Sequence, residues 1–297
     1  MWYTNCESQL VLRAFMRLAK NEFLATLLVR KFMSTQLQRA LTWADTLDFP
    51  ATPATLDMLF AGEIAGLCVP DFLSAEECAR LRKNTAECHF QDYLNVSPRI
   101  EKFGITVFEY DKIGKKQYFD AVEPANRTVA LLTNGICRPL QRVLDWFSAL
   151  CPGRSVDVAY EPGFGPYFAG LFRRIEEGTL VHVDFAPVEQ PGWAVAQVCN
   201  QLTFNIYLDT PKVDPGLVFI WQKQAQPEDQ RFKIPDSYGY RRELVADVPY
   251  ATITPQTGMF MVINTRNFHQ VSPSSGSRLT FSASVGQRLD KNLVLWS

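Results

Sequence analysis

From residue 155 to residue 286 the chain divides into eight short runs rich in β-branched and aromatic residues, separated by glycine and proline. The runs cover 155–160, 167–175, 180–185, 196–208, 217–223, 241–254, 259–263 and 278–286, with turn markers such as Pro191-Gly192, Asp214-Pro215-Gly216, Gly239 and Gly276. Runs of this length and punctuation predict strands. Eight of them in succession predict two facing sheets closed as a jelly roll, in which residues far apart in sequence meet at the open end.

The first half reads differently. Leu10, Phe15, Met16, Leu18, Ala19, Phe23, Leu27 and Phe32 recur at roughly helical spacing between basic residues, so residues 1–47 are expected to form an N-terminal helical extension. A strand is expected within 64–73. Ser74 with Glu77 makes a capping box that opens a helix running to about His89. Residues 103–110 alternate as a strand, 111–116 turn, and a helix follows Pro124 as far as Pro152-Gly153. The expected fold class is α+β: a double-stranded β-helix (jelly-roll) core buttressed by N-terminal helices. No linker divides 48–297, so these residues are expected to form one domain, with helical support over 48–153 and the jelly roll over 154–290.

Thirty basic residues against 31 acidic ones leave a net charge of -1, with no surplus to neutralise phosphates, and no nucleic-acid partner is expected. Seven cysteines without CxxC spacing read as reduced thiols and point to a cytoplasmic protein. No apolar stretch is long enough for a membrane span, and no membrane partner is expected. Oligomeric state is not legible in the sequence.

The chemistry is concentrated in Val181-His182-Val183-Asp184-Phe185. On an extended strand, residues two apart share a face, so His182 and Asp184 present an imidazole and a carboxylate together. A second histidine completes the facial triad of non-haem Fe(II) oxygenases. The chain has three histidines; His89 lies on the helix after Ser74, whereas His269 follows the apolar run 259–263. A lone histidine and aspartate two apart also occur on surface strands, and it is the ensemble that carries the reading. Nine residues after His269, Arg278 and Thr280 share a face of the last strand. A planar guanidinium fork and a hydroxyl suit the distal carboxylate of 2-oxoglutarate.

With these residues the chain resembles the Fe(II)/2-oxoglutarate-dependent oxygenases over roughly residues 64–286. Val181–Phe185, Trp193, 201–208, Pro215-Gly216 and 264–269 resemble more narrowly the branch acting on free amino acids, which includes hydroxylases, radical halogenases and an aziridine-forming valine oxidase. The resemblance implies Fe(II) on His182, Asp184 and His269, 2-oxoglutarate on Arg278 with help from Thr280, and O2 as the oxidant. Halogenases of the branch carry a small residue where Asp184 stands, so oxidation rather than halogenation is expected: hydroxylation, desaturation or ring closure of a small molecule, an amino acid in the first instance.

Candidate neighbours follow from alternation. Asn205 and Tyr207 share a face and are candidates for 2-oxoglutarate or substrate, with a buried structural hydrogen bond as the plainer role. One of Arg173 and Arg174 is expected to point inward toward a substrate carboxylate. Glu189 and Trp193, beyond the ligand strand, are candidates for an amine partner and an apolar wall. Two other functions compete: a protein hydroxylase of the prolyl type, and a non-catalytic jelly-roll binding protein.

Overall fold

The computed structural model describes residues 41–94 and 96–297, so most of the expected N-terminal extension lies outside the described residues. The strands, in chain order, are β1 (Gly66–Val69), β2 (Gln91–Asp92), β3 (Ile100–Phe103), β4 (Val156–Val158), β5 (Tyr160–Glu161), β6 (Gly165–Pro166) and β7 (Leu171–Ile175). They continue with β8 (Asn200–Asp209), β9 (Val218–Gln224), β10 (Tyr250–Ile253), β11 (Phe260–Asn264), β12 (Asn267–Val271), β13 (Arg278–Gln287) and β14 (Leu293–Trp296). The helices are α1 (Pro53–Ala61), α2 (Ala75–Ala86), α3 (Val107–Tyr110), α4 (Lys115–Thr133), α5 (Pro139–Leu150) and α6 (Ala186–Glu189).

Two sheets face each other, as the strand-rich second half predicts. The major one runs β1-β11-β8-β13-β7-β3-β2, with β14 on the far half of β13 and β4 beside β14; the minor one is β10-β9-β12. Alternation sorts the major sheet's side chains cleanly. Phe204, Ile206, Phe281, Phe172 and Phe260 point outward into a core closed by Leu56 and Leu59 of α1, Cys78 and Leu81 of α2, and Val143 and Phe147 of α5. Each such ring removed from water contributes about 1.5–3 kcal/mol. The opposite face holds a different set. Tyr207, Thr280, Arg173 and Lys102 stand in register across β8, β13, β7 and β3 and form one polar row.

The helical half buttresses this core. Ser74 caps α2 as expected, its hydroxyl accepting from Glu77 N at 3.2 Å while Glu77 Oε2 accepts from Ser74 N at 2.8 Å. The same carboxylate holds Arg142 of α5 at 2.6 Å and ties the two helices together.

Several elements differ from expectation. Residues 103–110 are not one strand: β3 ends at Phe103, Gly104 takes φ +117 against the Phe168 ring, and Thr106 caps α3. Lys115 and Lys116 open α4 rather than lying in a turn, and Lys115 pairs with the buried Glu161. The helix expected after Pro124 is two helices, α4 and α5, and Pro124 sits inside the first. Residues 242–245 form a 3-10 turn, leaving only 250–253 of that run as strand. Among the described residues no helix is long and apolar enough to cross a membrane, and the six cysteines at 68, 78, 88, 137, 151 and 199 are free. Residues 43–297 make one compact unit.

Candidate metal and cosubstrate site

The run 180–185 is held by isolated bridges rather than by a continuous ladder. His182 N donates to His269 O at 3.0 Å and His269 N donates back at 2.9 Å, while Asp184 N reaches Thr265 O at 2.9 Å. The segment thereby lies against β12 as an irregular fourth strand of the minor sheet. Val181 turns into an apolar cluster with Trp221, Tyr240 and Phe268, so the alternation sends His182 and Asp184 to the other side, between the sheets.

There the three predicted ligands meet. One ligand atom from each of His182, Asp184 and His269 lies within 4.8 Å of the others. The imidazole centroids are 4.1 Å apart, and His269 Nε2 is 3.6 Å from Asp184 Oδ2. Both rings are oriented by backbone carbonyls: His182 Nδ1 donates to Leu180 O at 2.8 Å and His269 Nδ1 to Asn267 O at 3.0 Å. A carbonyl only accepts, so Nδ1 carries the proton in each ring and Nε2 keeps its lone pair for a metal. Burial and the neighbouring His269 push the His182 pKa down to about 4, which keeps that ring neutral. Burial works against ionisation of Asp184, but the adjoining His269 and His182 rings and the Arg173 guanidinium hold its carboxyl well below the usual range. Two imidazoles and one carboxylate on one side of a cavity make a donor set for a divalent cation that leaves its other positions open.

The cavity, about 200 Å3, is lined by the triad and by Tyr93, Arg173, Glu189, Gln201, Thr203, Asn205, Tyr207, Tyr238, Met261, Arg278 and Thr280. Arg278 is only 2% exposed. Its Nη2 donates to Ser272 O at 3.3 Å, whereas its Nη1 and the Thr280 hydroxyl are buried without a partner. Leaving buried polar groups unmatched costs about 1–3 kcal/mol each. A guanidinium and a hydroxyl left open at the end of a polar cavity fit a carboxylate, and the fit extends to a diacid whose other end reaches the triad.

The remaining candidates separate. Asn205 and Tyr207 both line the cavity, and Tyr207 Oη lies 3.6 Å from Met261 Sδ. Arg173 points inward and donates from Nε to Tyr93 Oη at 3.1 Å; Arg174 points outward, its guanidinium 3.7 Å from the Phe90 ring centroid and bonded to Thr85 O. Glu189 lies at the mouth, its side chain exposed and its Oε2 accepting from Phe185 N at 3.2 Å. Trp193 is not brought to the cavity. Its indole donates to Asp111 Oδ1 at 2.8 Å and packs among Tyr118, Phe119 and Tyr167, because that aromatic cluster offers both apolar contact and an acceptor. Tyr93 and Tyr238 come from irregular segments without periodicity, and no sequence signal singles them out.

A jelly roll with this triad facing a buried arginine defines a non-haem Fe(II)- and 2-oxoglutarate-dependent oxygenase. The match of residues 44–291 to the family model described as carrier-protein-independent halogenase WelO5 places the chain in that family. The chain is 32% identical over 200 residues to leucinostatins biosynthesis cluster protein S of Purpureocillium lilacinum, an alignment covering 64% of this chain and 81% of that one. It is also 32% identical over 165 residues to L-gamma-glutamyl-L-propargylglycine hydroxylase of Streptantibioticus cattleyicolor, covering 54% of this chain and 59% of that protein. Among solved structures, an N-substituted L-amino acid dioxygenase from Burkholderia ambifaria shares the fold, with a TM-score of 0.56 at 14% identity over 82% of this chain and 91% of that one.

Proposed function

We propose that the protein oxidises an unactivated C–H bond of an amino acid or a close derivative, a small molecule, with His182, Asp184 and His269 holding Fe(II). The observation that carries this reading is the convergence of the triad with the partnerless Arg278 Nη1 and Thr280 hydroxyl in one cavity. When bound, Fe(II) with 2-oxoglutarate and O2 supplies the oxidising power, converting the cosubstrate to succinate and CO2 and removing hydrogen from the substrate.

The chain's own residues position these groups. Arg278 and Thr280 take the distal carboxylate of 2-oxoglutarate, and Asn205 and Tyr207 line its path along β8. Among the described residues the Arg173 side chain makes one hydrogen bond, from Nε to Tyr93, and no ion pair, so its guanidinium end is available for a substrate carboxylate. Glu189 stands on α6, immediately after the Asp184 segment and at the mouth of the cavity, where its carboxylate can take a substrate ammonium. Holding the two ends of an amino acid fixes which C–H faces the metal. The relative named L-gamma-glutamyl-L-propargylglycine hydroxylase, whose substrate is an amino acid derivative, supports this substrate class.

Although the family model is described as a halogenase, Asp184 supplies an anionic ligand at the position that halogenases leave open, and we read the outcome as oxygenation or desaturation. We further read the protein as cytoplasmic, with no nucleic-acid or membrane partner, and residues 48–297 as its single catalytic domain; the near-neutral charge and the run of the fold from Trp43 onward support this.

Anaerobic addition of Fe(II) and 2-oxoglutarate is expected to give a weak visible charge-transfer band that His182→Ala abolishes. Metal-loaded protein without the band overturns the assignment. Asp184→Gly is expected to lose ordinary turnover, and unchanged substrate oxidation by that variant refutes the role given to Asp184.

A further inference from the structure

Between β9 and β10 the chain makes an excursion, residues 225–249, that belongs to neither sheet. Lys233 and Tyr240 bridge each other and close its middle into a loop. Tyr240 N donates to Val181 O at 2.8 Å, on the edge of the 180–184 segment opposite to the one that faces β12. The segment bearing two metal-ligand candidates is thus held from one side by β12 and from the other by the excursion.

Tyr238 is the point where the excursion reaches the ligand itself. Its hydroxyl accepts the backbone N–H of Leu180 at 2.9 Å, and the carbonyl of the same Leu180 accepts the Nδ1–H of His182 at 2.8 Å. Its ring stands edge-on to the His182 imidazole, with centroids 5.3 Å apart at 83°. Lys233 Nζ donates to the Tyr238 carbonyl at 2.7 Å and pins the residue from behind. Close approach is built into the next position: a Cβ on Gly239 would fall 2.5 Å from Leu180 Cβ.

We propose that Tyr238 is a positioning residue for His182, fixing both the carbonyl that orients the imidazole and the ring's rotation, and so aiming Nε2 at the metal. The proposal rests on the reading of His182 as an Fe(II) ligand. With the hydroxyl removed, the Leu180 N–H loses its acceptor and the carbonyl on the same residue is free to swing. Partners that orient a ligand in this way set metal affinity by about 10–100-fold.

The test is anaerobic calorimetric titration of the full-length protein with Fe(II) in the presence of 2-oxoglutarate, with thermal unfolding followed in parallel. Tyr238→Phe, which keeps the ring, is expected to bind Fe(II) about tenfold more weakly. Gly239→Ala, which pushes the loop from Leu180 while keeping the hydroxyl, is expected to weaken binding too. Tyr240→Phe is the control: its hydroxyl lies on the same loop but meets Gln230 at 3.3 Å, and it is expected to bind Fe(II) like the wild type. Full affinity in Tyr238→Phe, or an equal loss in Tyr240→Phe, overturns the positioning role. Wild-type protein that binds no Fe(II) overturns the triad assignment itself, and the positioning role falls with it.

Discussion

The two walls of the cavity are built by different means. The wall bearing Arg278, Thr280, Asn205, Tyr207 and Arg173 belongs to β8, β13 and β7, paired in long antiparallel ladders broken only by one register shift at Leu279/Thr280 and backed on the far side by the aromatic core. The wall bearing His182 and Asp184 is a segment held by isolated bridges to β12 and to Tyr240. Every residue of a ladder inherits its position from its neighbours, whereas a bridged segment depends on a few named bonds. Binding residues for the cosubstrate therefore stand on the stiff wall. Two of the three metal ligands stand on the wall that can be moved, and single side chains such as Tyr238 carry more of their placement.

The largest expected effect tests the backing of the stiff wall. Phe204→Ala, in the core behind Asn205 and Tyr207, is expected to cost about 3–5 kcal/mol of stability, read by denaturant unfolding. A loss below about 1 kcal/mol would show that the ladder stands without its core. Next, native-state hydrogen exchange is expected to find the amides of β8 and β13 at least about 100-fold more protected than those of 180–184 and 234–240. Equal protection would abolish the contrast between the walls. Arg278→Met is expected to weaken 2-oxoglutarate binding by about 30–100-fold while leaving Fe(II) affinity within about threefold, since a charge-assisted bond to a carboxylate contributes about 1.5–3 kcal/mol. Loss of both affinities together would show that the two walls are one cooperative unit.

The smallest effect is on acid stability. Burial holds the His182 pKa at about 4 in the folded protein against 6.5 as its ordinary value, so between these values the unfolded chain binds more protons than the folded one. Stability of the metal-free protein is therefore expected to fall as pH drops from about 6.5 toward 4, and to be insensitive to this group above 6.5. Asp184 has a lowered pKa, and its contribution, present above its ordinary value of 3.8, is lost only under stronger acid. Thermal unfolding of the wild type and of His182→Asn across this range checks the sign; equal acid sensitivity of the two would show that another group is responsible.

Legibility from sequence follows the same division. Where a residue sits on a ladder, period-two alternation maps position to face directly, so the sequence alone assigns Arg278 and Thr280 to one face of their strand and Asn205 and Tyr207 to one face of theirs. The same alternation holds for His182 and Asp184 even though their segment is not a regular strand, because local extended backbone suffices to put residues two apart on one side. It also requires that only one of Arg173 and Arg174 face inward, without deciding which. Trp193 lies beyond its reach: a few residues after a short helix, its direction depends on Asp111 and an aromatic cluster assembled from distant stretches of chain. Tyr93 and Tyr238 are invisible for a similar reason, since irregular segments carry no period from which a direction can be read. The 103–110 run misleads because its apolar alternation persists through Gly104, where a positive φ ends the strand, and Thr106, which starts a helix instead.

The row of Tyr207, Thr280 and Arg173 across three strands lines the cavity, and it has a consequence for how such an enzyme can change over evolutionary time. Along each of these strands, inward residues that meet ligand alternate with outward residues that make the core. A substitution at Thr280 or Arg173 alters what the cavity recognises and spares the aromatic core behind it; one at Phe281 or Phe172 does the reverse. Selection for a new substrate and selection for a foldable chain thus act on interleaved but separate sets of positions, and this scaffold can acquire new specificities one residue at a time without passing through unstable intermediates.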